Sequence, residues 1–264
     1  MPTTKLLYLL LLLLGISTAA NAQKITKAPA TELQLSVGEW PPFLSNSLPH
    51  KGVVAHLIHD VFAQAGINVT FTFLPWARAY RDAANGKYAA TAIWMKNPQR
   101  ANIYFYSDPV LNEQFVFFHK KNQPFEWRTF KDLNNLILGG GLAYSYGAEF
   151  DKELEKGNLE LSRVSTTEQN FRRLALGRID AFAEDINVGY HVLNNQLPEL
   201  ATQITHHEKL LSTNQSFLLF PKNAVNSEKL LKIFNQHLAQ FKQNGRYQTY
   251  FDRLNHGAYQ PVIE

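Results

Sequence analysis

The alternation of strand-patterned and helix-patterned segments most constrains what this chain can fold into. Leu33-Gln34-Leu35-Ser36-Val37 alternates apolar and polar residues, the period of a half-buried strand, and Pro41-Pro42 breaks it. Over residues 53–65, apolar side chains at Val54, Leu57, Ile58, Val61, Phe62 and Ala65 fall at helical spacing, and Gly66 closes the run as a C-cap. A β-branched and aromatic strand at 69–74, a helix at 76–84 ended by Asn85-Gly86, and a strand at 88–94 complete a β-α-β-α-β series. Strands joined through helices pair in parallel, because the helix carries the chain back along the sheet.

A strongly apolar strand at 114–120 then leads into a polar, turn-rich stretch at 121–128, where a second α/β series opens. Strands at 136–139, 160–164 and 180–183 alternate with helices near 146–156, 167–176 and 186–194. A further strand at 216–220 ends at Pro221, followed by helices at about 226–243 and 246–254. Two α/β units joined by apolar crossing strands predict two lobes with a cleft between them, the C-terminal helices returning to the first lobe.

Composition excludes several function classes. The 26 Lys and Arg against 22 Asp and Glu give a net charge of +4 with no basic block, too small a surplus to mark a nucleic-acid binder. Cysteine is absent, which excludes disulfides, thiolate metal sites, Cys nucleophiles and lipid attachment through an N-terminal Cys. Lys5, the apolar run at 6–16 and Ala20-Asn21-Ala22 form a pattern similar to a secretory signal peptide cut after Ala22. The run is shorter than the roughly 20 residues a spanning helix needs. The expectation is a soluble protein exported to a bacterial periplasm.

The order of motifs resembles the periplasmic solute-binding proteins of the polar-amino-acid transporter type, the bacterial extracellular solute-binding proteins of family 3. The resemblance runs over about residues 33–254. It rests on Trp40-Pro41-Pro42-Phe43 after the first strand, the helix beginning near Gly52, and Asn85-Gly86-Lys87-Tyr88-Ala89-Ala90, where Ala89 replaces the family's Asp. It continues with Pro98-Gln99-Arg100, Phe105-Tyr106-Ser107-Asp108-Pro109, and Gly177-Arg178-Ile179-Asp180-Ala181-Phe182-Ala183-Glu184-Asp185. The resemblance implies an α/β, two-lobed, type II periplasmic-binding-protein-like fold with crossings near 114–121 and 214–222. The corresponding domains are a signal peptide at 1–22, lobe 1 at 23–118 and 216–264, and lobe 2 at 119–215.

It also implies the site. Arg100 stands where the family's Arg clamps a ligand carboxylate, a task suited to a planar fork of donors. Asp185 stands where the family holds the ligand's ammonium, with Glu184 as its neighbour; its place before Ile186 equally suits a helix N-cap. Trp40, Trp76 and Trp94 are candidate aromatic walls, while Phe43 reads as core. Glu39 is either a cleft carboxylate or a solvated turn residue. Gly139-Gly140-Gly141 with Tyr144, Ser145, Tyr146 and Gly147 follows a strand and opens a helix, where backbone N–H groups favour an anion. The family has Gly-Thr-Thr here; this chain has Gly141-Leu142-Ala143, and Ser145 is the nearest hydroxyl. Met95 replaces the family's ligand-contacting Ser or Thr, and Asn97 its Thr, which favours a different amine, a larger or aromatic solute, or a peptide-like compound.

His56 with His59, and His206-His207-Glu208, lack a clear third ligand for a metal. No nucleophile elbow, His-Glu-x-x-His or dinucleotide fingerprint is present. The function expected is therefore non-enzymatic capture of a small charged solute by cleft closure, with no cofactor, by a monomer serving an inner-membrane permease of an ABC transporter. The alternatives are a dehydratase-like enzyme on the same fold, using Glu39, Glu184 or Asp185 as acid or base, and a ligand-presenting sensory accessory protein.

Overall fold

A computed structural model describes residues 31–142 and 144–261, so the proposed signal peptide and the lead-in at 23–30 lie outside the described residues. Strands β1 (Thr31–Val37), β2 (Ile67–Phe73) and β3 (Ala90–Met95) run parallel in the order β2-β1-β3. Helices α1 (Val53–Ala63) and α2 (Trp76–Ala84) are the crossovers between them. The apolar stripe read from the sequence explains α1: Val54, Leu57, Ile58, Val61 and Phe62 are all fully buried. Helix α3 (Pro98–Ile103) and the short β4 (Tyr104–Tyr106) follow. The sequence reading passed over α3, although Asn97 and Pro98 form a legible start. The Asn97 Oδ1 accepts the Gln99 and Arg100 N–H groups at 2.9 and 3.2 Å, and Pro98 needs no partner at the first position.

A long strand, β5 (Leu111–Lys120), then leaves this first set. The second set comprises β6 (Leu138–Gly141), α4 (Ala148–Glu155), β7 (Leu161–Val164), α5 (Thr167–Ala175), β8 (Ala181–Asp185) and α6 (Ile186–Asn195). Its strands are parallel in the order β8-β6-β7. The chain continues through α7 (Pro198–Ala201) and β9 (Ile204–His206), and β10 (Ser212–Pro221) brings it back. β5 and β10 are antiparallel along Leu111–Phe115 and Ser212–Ser216, and then diverge. The far half of β5 pairs with β8, and the far half of β10 pairs with β3 and β4. These are the two crossing strands, each beginning slightly earlier than the sequence suggests. In β5 the reason is plain. Leu111, Glu113 and Phe115 share the buried face and Asn112 and Gln114 the exposed one, so a buried acid interrupts the apolar alternation.

Helices α8 (Ser227–Gln243) and α9 (Arg246–Asn255) pack on α1. The Phe62 and Phe234 rings lie 5.1 Å apart, and the Tyr250 hydroxyl donates to Asp60 Oδ2 at 2.6 Å. Phe62 and Phe234 are fully buried, and each contributes roughly 1.5–3 kcal/mol by leaving water. His56 and His59 belong to this packing, the former beside Tyr259 and both beside Asp60. The glycine run is part of β6 rather than a loop. A Cβ at Gly139 would meet Ile179, Asn170 and Phe182 within 3.0 Å, so these glycines give close packing of strand against helix and sheet.

Candidate functional site

A cavity of about 570 Å³, a size typical of small-molecule sites, lies where β3, α2 and α3 meet the crossing strands and the loop after β6. Its wall is aromatic: Trp40, Trp76, Tyr80, Trp94, Phe115 and Tyr144 all contribute.

A bulge in β3 builds one side. Phe217 of β10 pairs with Trp94 and Leu218 with Ala92, so Ile93 is left without a partner. Ile93 takes φ = 61°, a left-handed conformation that a β-branched residue avoids unless its surroundings impose it. The pleat is thereby broken, and Ile93, Trp94 and Met95 line the cavity in succession, where a regular strand would point alternate residues away. Nothing in the residue types announces this.

Arg100 lines the cavity from the first turn of α3. Its Nη1 donates to the Met95 carbonyl at 3.0 Å, which fixes the guanidinium against the strand that precedes it. The guanidinium carbon stands 4.9 Å from the Trp94 ring centre and 6.0 Å from that of Tyr80, both within cation–π range. Among the described residues no carboxylate lies within 4.0 Å of it. Its remaining donors therefore suit an incoming anion. Trp94 is held in turn, its Nε1 donating to Thr91 Oγ1 at 2.9 Å and its ring meeting Trp76 edge-on at 5.3 Å. Trp76 covers Gly38, where a Cβ would come within 2.2 Å of the indole.

Trp40 and Tyr144 close the opposite side, their rings perpendicular and 6.4 Å apart. Burial raises the Tyr144 phenol well above its ordinary range. Ser145 also lines the cavity, but its hydroxyl donates to Asp151 Oδ2, so toward a ligand its oxygen is an acceptor. The loop holding both is braced by Arg163, whose Nη1 donates to the Gly141 and Tyr144 carbonyls at 2.7 and 3.0 Å.

Two expected residues do not reach this cavity. Asp185 is fully buried at the N-terminus of α6 and absent from the lining. Its Oδ1 accepts the Asn187 and Val188 N–H groups at 2.9 and 3.3 Å, and its Oδ2 accepts that of Gln114 at 3.0 Å. The helix-capping alternative describes its surroundings, because three backbone donors hold the carboxylate inside the sheet. Glu39 is exposed, and its Oε1 accepts the Asn46 N–H at 3.0 Å, the solvated-turn alternative.

The acid that does line the cavity is one the sequence reading missed. Glu113, 2% exposed, lies on β5 with its Oε1 accepting from Ser216 Oγ, while its buried Oε2 has no partner. Burial pushes its carboxyl up to about 7, against the Ser216 hydrogen bond and with help from the charge of Asp185. Behind it, burial raises Glu184 to about 8 and Asp185 to about 6, in each case against hydrogen bonds that favour the charged form. Glu184 accepts from Thr167 Oγ1 at 2.5 Å and from the Asp185 N–H at 2.9 Å.

A family model described as bacterial extracellular solute-binding proteins, family 3, matches residues 35–255. No curated protein matches the chain by sequence. Among solved structures, an amino acid ABC transporter substrate-binding protein from Streptococcus pneumoniae bound to L-arginine is similar, with a TM-score of 0.69 at 15% identity, covering 88% of this chain and 95% of that one. An ancestral amino acid-binding protein, a precursor of cyclohexadienyl dehydratase, gives 0.65 at 19% identity over 84% of this chain and 94% of its own. A histidine kinase sensor domain gives 0.69 at 16% identity over 84% and 95%. These likenesses show a mixed α/β, two-lobed fold of the type II periplasmic-binding-protein kind.

Proposed function

The chain belongs to the bacterial extracellular solute-binding proteins of family 3, and from that premise we propose that it captures a small carboxylate-bearing solute in the aromatic cavity and serves an ABC transporter from the periplasm. In this reading Arg100 receives the carboxylate. Trp40, Trp76, Trp94 and Tyr144 enclose the body of the solute, and Ser145 accepts one of its donors. The lobes, taken as 23–118 with 216–264 and 119–215, close over it by rotation about β5 and β10. No chemical step is needed, and the protein works without a cofactor.

The observation that carries this reading is the guanidinium of Arg100, oriented by the Met95 carbonyl and Trp94 on a cavity wall and unpaired with any carboxylate among the described residues. A guanidinium so placed gains a partner only when an anion arrives. Native mass spectrometry of the mature protein purified from its own periplasm tests it. A non-covalent acidic adduct on the wild type that is absent from Arg100→Ala supports the proposal; an adduct equally present on both refutes it. Recovery of the solute unaltered after incubation separates capture from the dehydratase-like alternative, in which a chemically changed product is released.

A further inference from the structure

We propose that Glu113, on the crossing strand β5, is the residue that receives a cationic nitrogen of the solute, a role for which Asp185 is not placed. The proposal rests on the solute-capture reading above and names the second anchor of the same site.

Three observations carry it. Glu113 lines the cavity that also holds Arg100, so both signs of charge are offered to one guest. One of its carboxyl oxygens is buried with no hydrogen-bond partner, while the other is fixed by Ser216. A buried acceptor in this state is completed by a donor that enters with a ligand. Asp185, by contrast, is fully buried, already holds three backbone N–H groups and is off the lining. Glu113 also stands at a junction. A second cavity of about 750 Å³, lined by polar residues of both crossing strands, shares Met95, Glu113 and Ser145 with the first. A nitrogen held there has room for a substituent beyond it.

A cation is favoured over a neutral donor because the acids are grouped. Asp185 of β8, with its carboxyl near 6, adds negative potential at Glu113 once ionised, whereas Glu184, near 8, keeps its proton around neutrality. The other titratable or charged groups of the two cavities are Arg100, Tyr80 and Tyr144 in the first and Lys96 in the second. A cation binds the ionised carboxylate, so binding strengthens as pH rises through the titration of Glu113 near neutrality. A hydroxyl or amide guest would gain less, since it brings no charge to pair with the carboxylate.

The test uses the full mature chain and the fluorescence of Trp40, Trp76 and Trp94, which line the cavity. The probes are the twenty protein L-amino acids, putrescine, and the deaminated acid matching each amino acid. The expected result is that an amine-bearing probe binds the wild type and loses at least about tenfold in affinity in Glu113→Gln, while its deaminated counterpart changes less than about twofold. Because that variant could misfold, the wild type alone supplies a second readout, an affinity for the amine-bearing probe that rises from pH 6 to pH 8. Unchanged affinity in Glu113→Gln, or a flat wild-type pH profile, overturns the assignment. Binding only of probes without a cationic nitrogen overturns it and leaves the Arg100 reading standing. Binding of no probe overturns both.

Discussion

Replacing Glu184 with Gln should remove a specific pH dependence from stability. Glu184 is 1% exposed, and burial raises its carboxyl to about 8 against an ordinary 4.5. Between pH 5 and pH 7 the folded chain therefore keeps this proton and the unfolded chain does not. Folding takes up a proton across this window, so the contribution of Glu184 is fully present below pH 4.5 and declines as pH rises toward 8. One proton over two pH units amounts to about 3 kcal/mol. Gln keeps the shape: its oxygen can accept the Asp185 N–H, and its amide nitrogen takes the place of the carboxyl oxygen that faces Thr167, whose hydroxyl then turns from donor to acceptor. Several histidines act in the opposite sense, His56 among them, since burial lowers it to about 4 and favours the neutral form in the fold. The wild-type curve alone would mix these effects, so the informative quantity is the difference between variant and wild type. On going from pH 5 to pH 7 the variant should gain about 6–12 °C in Tm relative to wild type, at about 2–4 °C per kcal/mol for a chain of this size. Differential scanning calorimetry in matched buffers reads it. A constant difference across that range would mean that Glu184 is ionised in the fold, and the picture of a protonated acid beneath the cavity would be wrong.

Other substitutions separate binding from folding. Arg100→Ala should abolish ligand-induced thermal stabilisation while moving the unliganded Tm by no more than about 3 °C, because the Arg100 side chain makes a single hydrogen bond to the chain; an undiminished ligand shift in a thermal-shift assay would exclude it from the site. Asp185→Ala should lower the unliganded Tm, with a loss of about 1–3 kcal/mol in chemical denaturation, since it removes the α6 cap and leaves the buried Val188 N–H and the partly buried Asn187 and Gln114 N–H groups without this acceptor; unaltered stability would point instead to a carboxylate reserved for ligand. Gly38→Ala brings a methyl to 2.2 Å from the Trp76 indole, so the ring must move by about 1.3 Å to reach normal contact near 3.5 Å. The expected result is about 1–3 kcal/mol of destabilisation with an altered tryptophan emission maximum, and a spectrum identical to wild type would show that Trp76 does not rest on Gly38.

How much of this was legible depends on which physical signal each feature leaves in the residues. The α/β alternation was readable because helix and strand periods differ, and α1 and the parallel strands follow from it. Arg100 was readable through the residues around it rather than through its own chemistry. The bulge at Ile93 was not, because register is settled by pairing with β10, whose residues lie more than a hundred positions away. Glu113 was hidden for a related reason. A carboxylate is expected in water, and although its spacing puts it on the face of Leu111 and Phe115, only the burial of that face in the fold shows that it is covered. Asp185 carries the same sequence signal whether it caps a helix or holds an ammonium, and the backbone around Gln114 is what separates the two.

A crystal structure of the mature protein with its co-purified solute tests the central claim most directly. The solute's carboxylate should lie within hydrogen-bonding distance of Arg100, its body against Trp94 and Tyr144, and both lobes should contact it. Density for the solute elsewhere, or a guanidinium turned onto a protein acid with the cavity filled only by water, would contradict it.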